Sequence, residues 1–129
     1  MQVTRKRIYL AGGFHSGWQS IVKDKLKGFE YLDPAVHGIE NPTEYTRWDL
    51  EAVKGADVIL ANMEASNPAG YSLALEVGYA KALGKKIYFV DQIENESISR
   101  YFDMVRECSD RVFGSLGEAV DYIAIAESY

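Results

Sequence analysis

Apolar residues recur along this chain in two alternating rhythms, short unbroken runs and stripes at helical spacing, and the alternation predicts repeated strand–helix units. Residues 7–11, Arg-Ile-Tyr-Leu-Ala, form a short strand-like run that ends at Gly12-Gly13. Residues 17–26 then carry Trp18, Ile21, Val22 and Leu26 on one helical face. Residues 29–32 give a second strand, closed by Asp33-Pro34, and residues 35–40 read as loop. Asn41-Pro-Thr-Glu44 is a helix start, with Asn41 as cap, Pro42 in the first helical position and Glu44 placed to reach back to the cap. That helix runs to Lys54 and closes at Gly55. Residues 56–62 are an apolar run of the kind that a parallel strand covered on both faces requires. A loop at 63–70, containing Asn67-Pro68 and Gly70, leads into a helix that starts near Ser72 and ends at Gly84. Residues 86–90 form a fourth strand, 98–108 one helix, and 111–113 a short last strand. Ser115-Leu-Gly-Glu118 opens the final helix with a capping-box pattern, and Leu116, Ala119, Val120 and Ile123 are its buried positions.

Five such units in succession imply an α/β fold, a doubly wound five-stranded parallel sheet with right-handed crossovers and helices on both faces, spanning residues 1–129 as a single domain. In such sheets ligands bind at the carboxyl ends of the strands, where strand order reverses. The loop after strand one, the loop after strand three and the start of the helix after it should therefore meet at one crevice.

Composition narrows the possible partners. The 129 residues carry a net charge of −5 and a pI near 5.0, without the clustered Lys and Arg that nucleic-acid binding needs, since Arg5-Lys6-Arg7 and the face from Lys23 to Lys27 read as solvated charge. Cys108 is the only cysteine, which rules out an internal disulfide and disfavours a thiolate metal site. The N-terminus shows neither the apolar core of a signal peptide nor the roughly 20 apolar residues of a membrane span, and a reducing, cytoplasmic setting is the expectation.

One carboxylate stands out. Glu76 lies inside the apolar run Tyr71-Ser-Leu-Ala-Leu-Glu-Val-Gly-Tyr-Ala80, with Ser72, Leu73, Tyr79 and Ala80 one turn away and therefore no cation at helical pairing distance. Nor is it the glutamate of a capping box. A function, or a tertiary salt bridge, would account for it. Its place near a helix N-terminus should keep it ionised, which suits a nucleophile better than a proton donor. Tyr9, near the carboxyl end of strand one, is either the hydroxyl that orients this carboxylate or a core aromatic with a wet tip. Asp49 also lacks a local cation, with Tyr45 and Val53 one turn away, and solvent exposure is its simplest explanation. Asp57 reads as a loop or capping residue. The loop Gly12-Gly13-Phe14-His15-Ser16-Gly17 matches neither the dinucleotide fingerprint nor the P-loop. His15 and His37 are isolated, without the spacing of a zinc site or a Ser/His/Asp set, and Ser72 reads as a helix cap.

Three segments together resemble the nucleoside 2-deoxyribosyltransferase family, which includes nucleoside 5′-monophosphate N-glycosidases. They are Ile8-Tyr-Leu-Ala-Gly-Gly-Phe14, Asp49-Leu-Glu-Ala-Val-Lys-Gly-Ala-Asp-Val-Ile-Leu60 and Gly70-Tyr-Ser-Leu-Ala-Leu-Glu-Val-Gly-Tyr-Ala80, and the last is the most specific. The resemblance implies a flavodoxin-like fold, with no cofactor and no metal. It makes Glu76 the nucleophile at C1′ of the deoxyribose, Tyr9 the hydroxyl that positions it, and Asp49 the group that bonds the base and assists its protonation. Phe14 falls where relatives line the base pocket, and Gly12, Gly13, Asn62, Gly70 and Ser72 belong to the expected substrate-binding set. Some relatives carry an acidic residue where this chain has Gly70. Relatives also complete the sugar site from a neighbouring subunit, and Asp103 is the counterpart proposed here, which would require a homodimer or larger homo-oligomer. The implied partners are a nucleoside or nucleotide and a free nucleobase, with no nucleic acid and no membrane. Two other readings remain: a 5′-monophosphate N-glycosidase that recruits Ser16, Ser66 and Ser72 for the phosphate, and a nucleotide-binding sensor without turnover, against which the joint presence of Tyr9, Asp49 and Glu76 argues.

Overall fold

A computed structural model describes residues 5–67 and 70–128. Residues 1–4 and Pro68 of the expected Asn67-Pro68 turn lie outside the described residues. Strands β1 (Arg7–Gly12), β2 (Glu30–Leu32), β3 (Val58–Met63), β4 (Lys86–Asp91) and β5 (Arg111–Phe113) pair in parallel in the order β2-β1-β3-β4-β5. This is the flavodoxin-like doubly wound order, and it reverses between β1 and β3.

The period-2 alternation of the central strands divides the core in two. Tyr9, Ala11, Ile59, Ala61, Met63, Ile87 and Phe89 face one way, against helices α2 (Pro42–Gly55), α3 (Tyr71–Ala82) and α5 (Asp103–Cys108). Ile8, Leu10, Val58, Leu60, Tyr88 and Val90 face the other way, against α1 (Trp18–Lys25) and α6 (Leu116–Ala126). Burying each of the larger side chains contributes about 1.5–3 kcal/mol relative to exposure.

Capping follows the sequence at two helices. Asn41 Oδ1 accepts from the Glu44 N–H at 3.1 Å, and Ser115 Oγ accepts from the Glu118 N–H at 3.2 Å. The expected loop at 35–40 begins instead with a 3₁₀ turn, Pro34–Val36, because Asp33 Oδ1 accepts from the Ala35 N–H at 2.9 Å and caps it. The single helix expected over 98–108 is broken into α4 (Glu96–Ser99), a 3₁₀ turn (Arg100–Phe102) and α5. Arg106 holds this segment to the end of β4: its Nε donates to Asp91 Oδ2 at 2.8 Å and its Nη2 to Ser99 O at 2.9 Å. Among the described residues no helix is long and apolar enough to cross a membrane.

The register brings Gly12 of β1 beside Asn62 of β3, with φ +152° at the glycine. A Cβ there would sit 2.6 Å from the Asn62 carbonyl oxygen and 3.0 Å from the Trp18 ring. Since the nearest obstacle is backbone of a central strand, Gly12→Ala should destabilise the protein by about 2 kcal/mol or more in urea unfolding. A loss below about 0.5 kcal/mol would show that the β1–β3 junction yields more easily than this packing implies.

Candidate active site

Helix α3 buries Leu73, Glu76, Val77 and Ala80 against the sheet face to which Tyr9 points. The apolar stripe that docks the helix thus carries Glu76 inward, where it is only 6% exposed. The Tyr9 hydroxyl donates a short hydrogen bond to Glu76 Oε2. Among the described residues no Lys, Arg or His forms a salt bridge with Glu76, so the salt-bridge reading of this residue is not what the fold provides. Burial pushes the Glu76 carboxyl up to about 7, the Tyr9 hydrogen bond pulls it down, and the negative charge of Asp49 pushes it up again. Burial, and next the charge of Glu76, raise the Tyr9 hydroxyl far above its usual range, so Tyr9 stays protonated and acts as the donor. The expectation that the helix N-terminus keeps Glu76 ionised needs correcting. Helix α3 begins at Tyr71, which puts Glu76 in its second turn, past the reach of the terminal partial charge, and desolvation prevails.

The second carboxylate approaches from α2. Asp49 is half-buried rather than solvent-exposed, and its Oδ1 lies 3.1 Å from His37 Nε2. The tautomer follows from the other ring nitrogen: Nδ1 accepts from the Ile39 N–H at 2.9 Å, which leaves the neutral ring's proton on Nε2, donated to Asp49. The ring also packs edge-on to Trp48, with centroids 4.7 Å apart. Burial raises the Asp49 carboxyl above its ordinary value, and the His37 hydrogen bond opposes that rise.

Glu76 and Asp49 open into one cleft of about 510 Å³ at the reversal of strand order, lined also by Gly12, Gly13, Phe14, Gly70 and Ser72. The glycine loop is fixed from behind, since Gly13 O accepts from Trp18 Nε1 and from Gln19 Nε2, both at 2.9 Å. Phe14 is left 53% exposed at the rim. Ser72 lines the cleft but does not cap: Gly70, at φ +71°, is the cap residue of α3. A Cβ on Gly70 would come within 2.6 Å of Met63 Sδ and 2.8 Å of Phe102 Cζ, so the packing explains why no acidic side chain stands there. Two expected residues lie elsewhere. Asn62, although at the end of β3, alternates onto the α1/α6 face, is buried, and is not part of the cleft lining. Asp103 is 74% exposed at the start of α5, where it pairs with Arg106 at 2.7 Å.

Sequence reasoning passed over His37, which lines the cleft together with Ile39 and Tyr45. Its signal was positional: it follows Asp33-Pro34 at the carboxyl end of β2, the same sheet edge as the other two loops. Tyr45 stands one helical turn before Asp49 on α2.

A family model described as nucleoside 2-deoxyribosyltransferase like matches residues 5–93. The chain belongs to this family. Among solved structures, a 2-desoxiribosyltransferase from Leishmania mexicana is 22% identical, with a TM-score of 0.76 over 95% of this chain and 99% of its own. A 2-deoxyribosyltransferase from Bacillus psychrosaccharolyticus is 20% identical, with a TM-score of 0.69 over 90% and 91%. The CMP N-glycosidase BcmB of Clostridium botulinum is 22% identical, with a TM-score of 0.60 over 92% and 98%. No curated protein sequence matches the chain. At these identities the structural likeness establishes the fold alone.

The raised Glu76 carboxyl makes stability depend on pH. Glu76 retains a proton in the folded state between its ordinary 4.5 and about 7, a range in which the unfolded chain has released it. The stability contributed by the neutral form is therefore complete below about 4.5 and is lost as pH rises through about 7, on the order of 3 kcal/mol in all. Glu76→Gln should remove this slope, and should be more stable than the native protein at pH 8 but not at pH 4.5. Parallel urea curves for the two proteins across this range would contradict the assignment.

Proposed function

We propose that the protein is a nucleoside 2-deoxyribosyltransferase. The observation that carries this reading is the buried Tyr9–Glu76 pair, which faces the same cleft as the His37–Asp49 pair. A carboxylate held by one hydroxyl, without a cation to neutralise it, is available to attack an electrophilic carbon. In the reaction Glu76 Oε forms a bond to C1′ of the deoxyribose as the C1′–N bond breaks, through an oxocarbenium-like transition state. The electron pair leaves with the base, and the Asp49 carboxyl gives a proton to a base nitrogen. A deoxyribosyl-Glu76 ester results. A second base in the vacated pocket forms a bond to C1′ as the C1′–Oε bond breaks, Glu76 leaves as the carboxylate, Asp49 takes up the base's proton, and the sugar is transferred with net retention.

The environments of the two carboxyls suit these roles. Glu76 reacts as the carboxylate, whose basicity burial has raised; Asp49 reacts as the acid, whose proton burial helps retain. Phe14 and Tyr45 supply aromatic surface for a base. A deoxynucleoside, which lacks the electron-withdrawing 2′-hydroxyl, forms the cation more easily than a ribonucleoside. Asp103, exposed and outside this chain's cleft, would serve the sugar site of a neighbouring copy in a homodimer.

A second reading, hydrolysis of deoxynucleoside 5′-monophosphates, has its own observation. The cap residue of α3 is Gly70, and Ser72 in the first turn of the helix lines the cleft, a setting that accepts an anion. Against it, no Lys or Arg lines the cleft among the described residues. Incubation with a deoxynucleoside and a second free base, followed by chromatography, separates the readings. Base exchange is expected, and Glu76→Ala should lower it at least about 10³-fold. Turnover confined to 5′-monophosphates would favour the glycosidase, and no turnover of either substrate would overturn both.

A further inference from the structure

We propose that His37 is a positioning residue for base departure, acting through Asp49. The inference rests on the assignment of Asp49 as the acid and adds a residue that neither helix spacing nor the family motifs single out. His37 lies on the loop after β2, twelve residues before Asp49, and reaches it across the cleft wall. Three contacts fix the ring. The Ile39 N–H occupies Nδ1 at 2.9 Å, Trp48 packs against the ring at a 63° interplanar angle, and Nε2 meets Asp49 Oδ1 at 3.1 Å. With only 12% of its side chain exposed, His37 is held rather than free to rotate.

This geometry has two chemical consequences. Because Nδ1 accepts, Nε2 is the donor, so Oδ1 of Asp49 is occupied and the acid's proton must sit on Oδ2. His37 thereby selects the oxygen from which the base is protonated. As Asp49 passes its proton to the leaving base it becomes a carboxylate, and the Nε2–H···Oδ1 bond changes from neutral to charge-assisted, roughly doubling in strength. The bond is stronger when the proton has left than before, so it assists the transition state more than the bound substrate. The imidazole keeps its own proton throughout.

Leaving-group dependence provides the test. Natural deoxynucleosides need a proton on the departing base; a p-nitrophenyl 2-deoxyribofuranoside does not, while Glu76 acts equally on both. The measured quantity is the ratio of kcat/KM for the natural substrate to that for the p-nitrophenyl glycoside. His37→Phe keeps a ring against Trp48 and removes the donor; the ratio should fall at least about tenfold, and His37→Gln, which restores an N–H, should recover part of it. In the Asp49→Asn background, His37→Phe should lower the ratio no further. An unchanged ratio in His37→Phe, or an equal additional loss in the Asp49→Asn background, would overturn the role of His37. If Asp49→Asn itself leaves the ratio unchanged, it is the assignment of Asp49 as the acid that fails. Circular dichroism and melting of each variant exclude loss of fold as the cause.

Discussion

The hydrogen bond from the Tyr9 hydroxyl to the Glu76 carboxylate is the constraint around which this site is arranged. A carboxylate at 6% exposure is expensive to ionise, and a single neutral donor returns only part of what water supplied. The sheet makes that compromise possible. Tyr9 is placed by the alternation of β1, Glu76 by the apolar stripe of α3, and the two meet because both face the same half of the core. Moving either by one residue would turn it to another face. The raised carboxyl is therefore a consequence of how the helix docks.

The second carboxylate solves the opposite problem. The negative charge of Asp49 adds to the burial that raises the Glu76 carboxyl, and burial raises Asp49 in its turn. The His37 donor defines the geometry of Asp49 without neutralising it, since the imidazole's proton stays on Nε2. One buried carboxyl is thus oriented by a tyrosine and the other by a histidine. In the proposed mechanism, the division of labour between nucleophile and acid follows from these surroundings.

Much of this was legible in the sequence, and the places where it was not share a physical cause. Strand–helix alternation, the Asn41 and Ser115 caps and the apolar run of β3 gave the sheet and its five strands, because period and turn chemistry are local. Glu76 was visible as a carboxylate without a local partner. Three features depended on contacts distant in sequence. Helical spacing over residues 98–108 is real, but Arg106 draws the chain back to Asp91 and Ser99, and the helix breaks. Asp49 looked solvent-exposed since its partner, His37, lies on another loop. Asn62 looked like a cleft residue from its position at a strand end, yet strand alternation sends its side chain through to the far face, where its buried Oδ1 has no hydrogen-bond partner among the described residues. Gly70 shows the converse: a departure from the relatives' acidic residue has a packing cause, the proximity of Met63 and Phe102.

The central claim is that Glu76 becomes covalently bonded to the sugar. A 2′-deoxy-2′-fluoroarabinosyl nucleoside slows both formation and breakdown of such an ester by destabilising the oxocarbenium ion, and the intermediate accumulates. Intact-protein mass spectrometry after incubation should show one added fluoroarabinosyl group per chain, and peptide mapping should place it on Glu76. Its removal by a competing free base should restore the unmodified mass. Turnover of natural substrate by the same preparation without any adduct, or an adduct at another residue, would contradict the account.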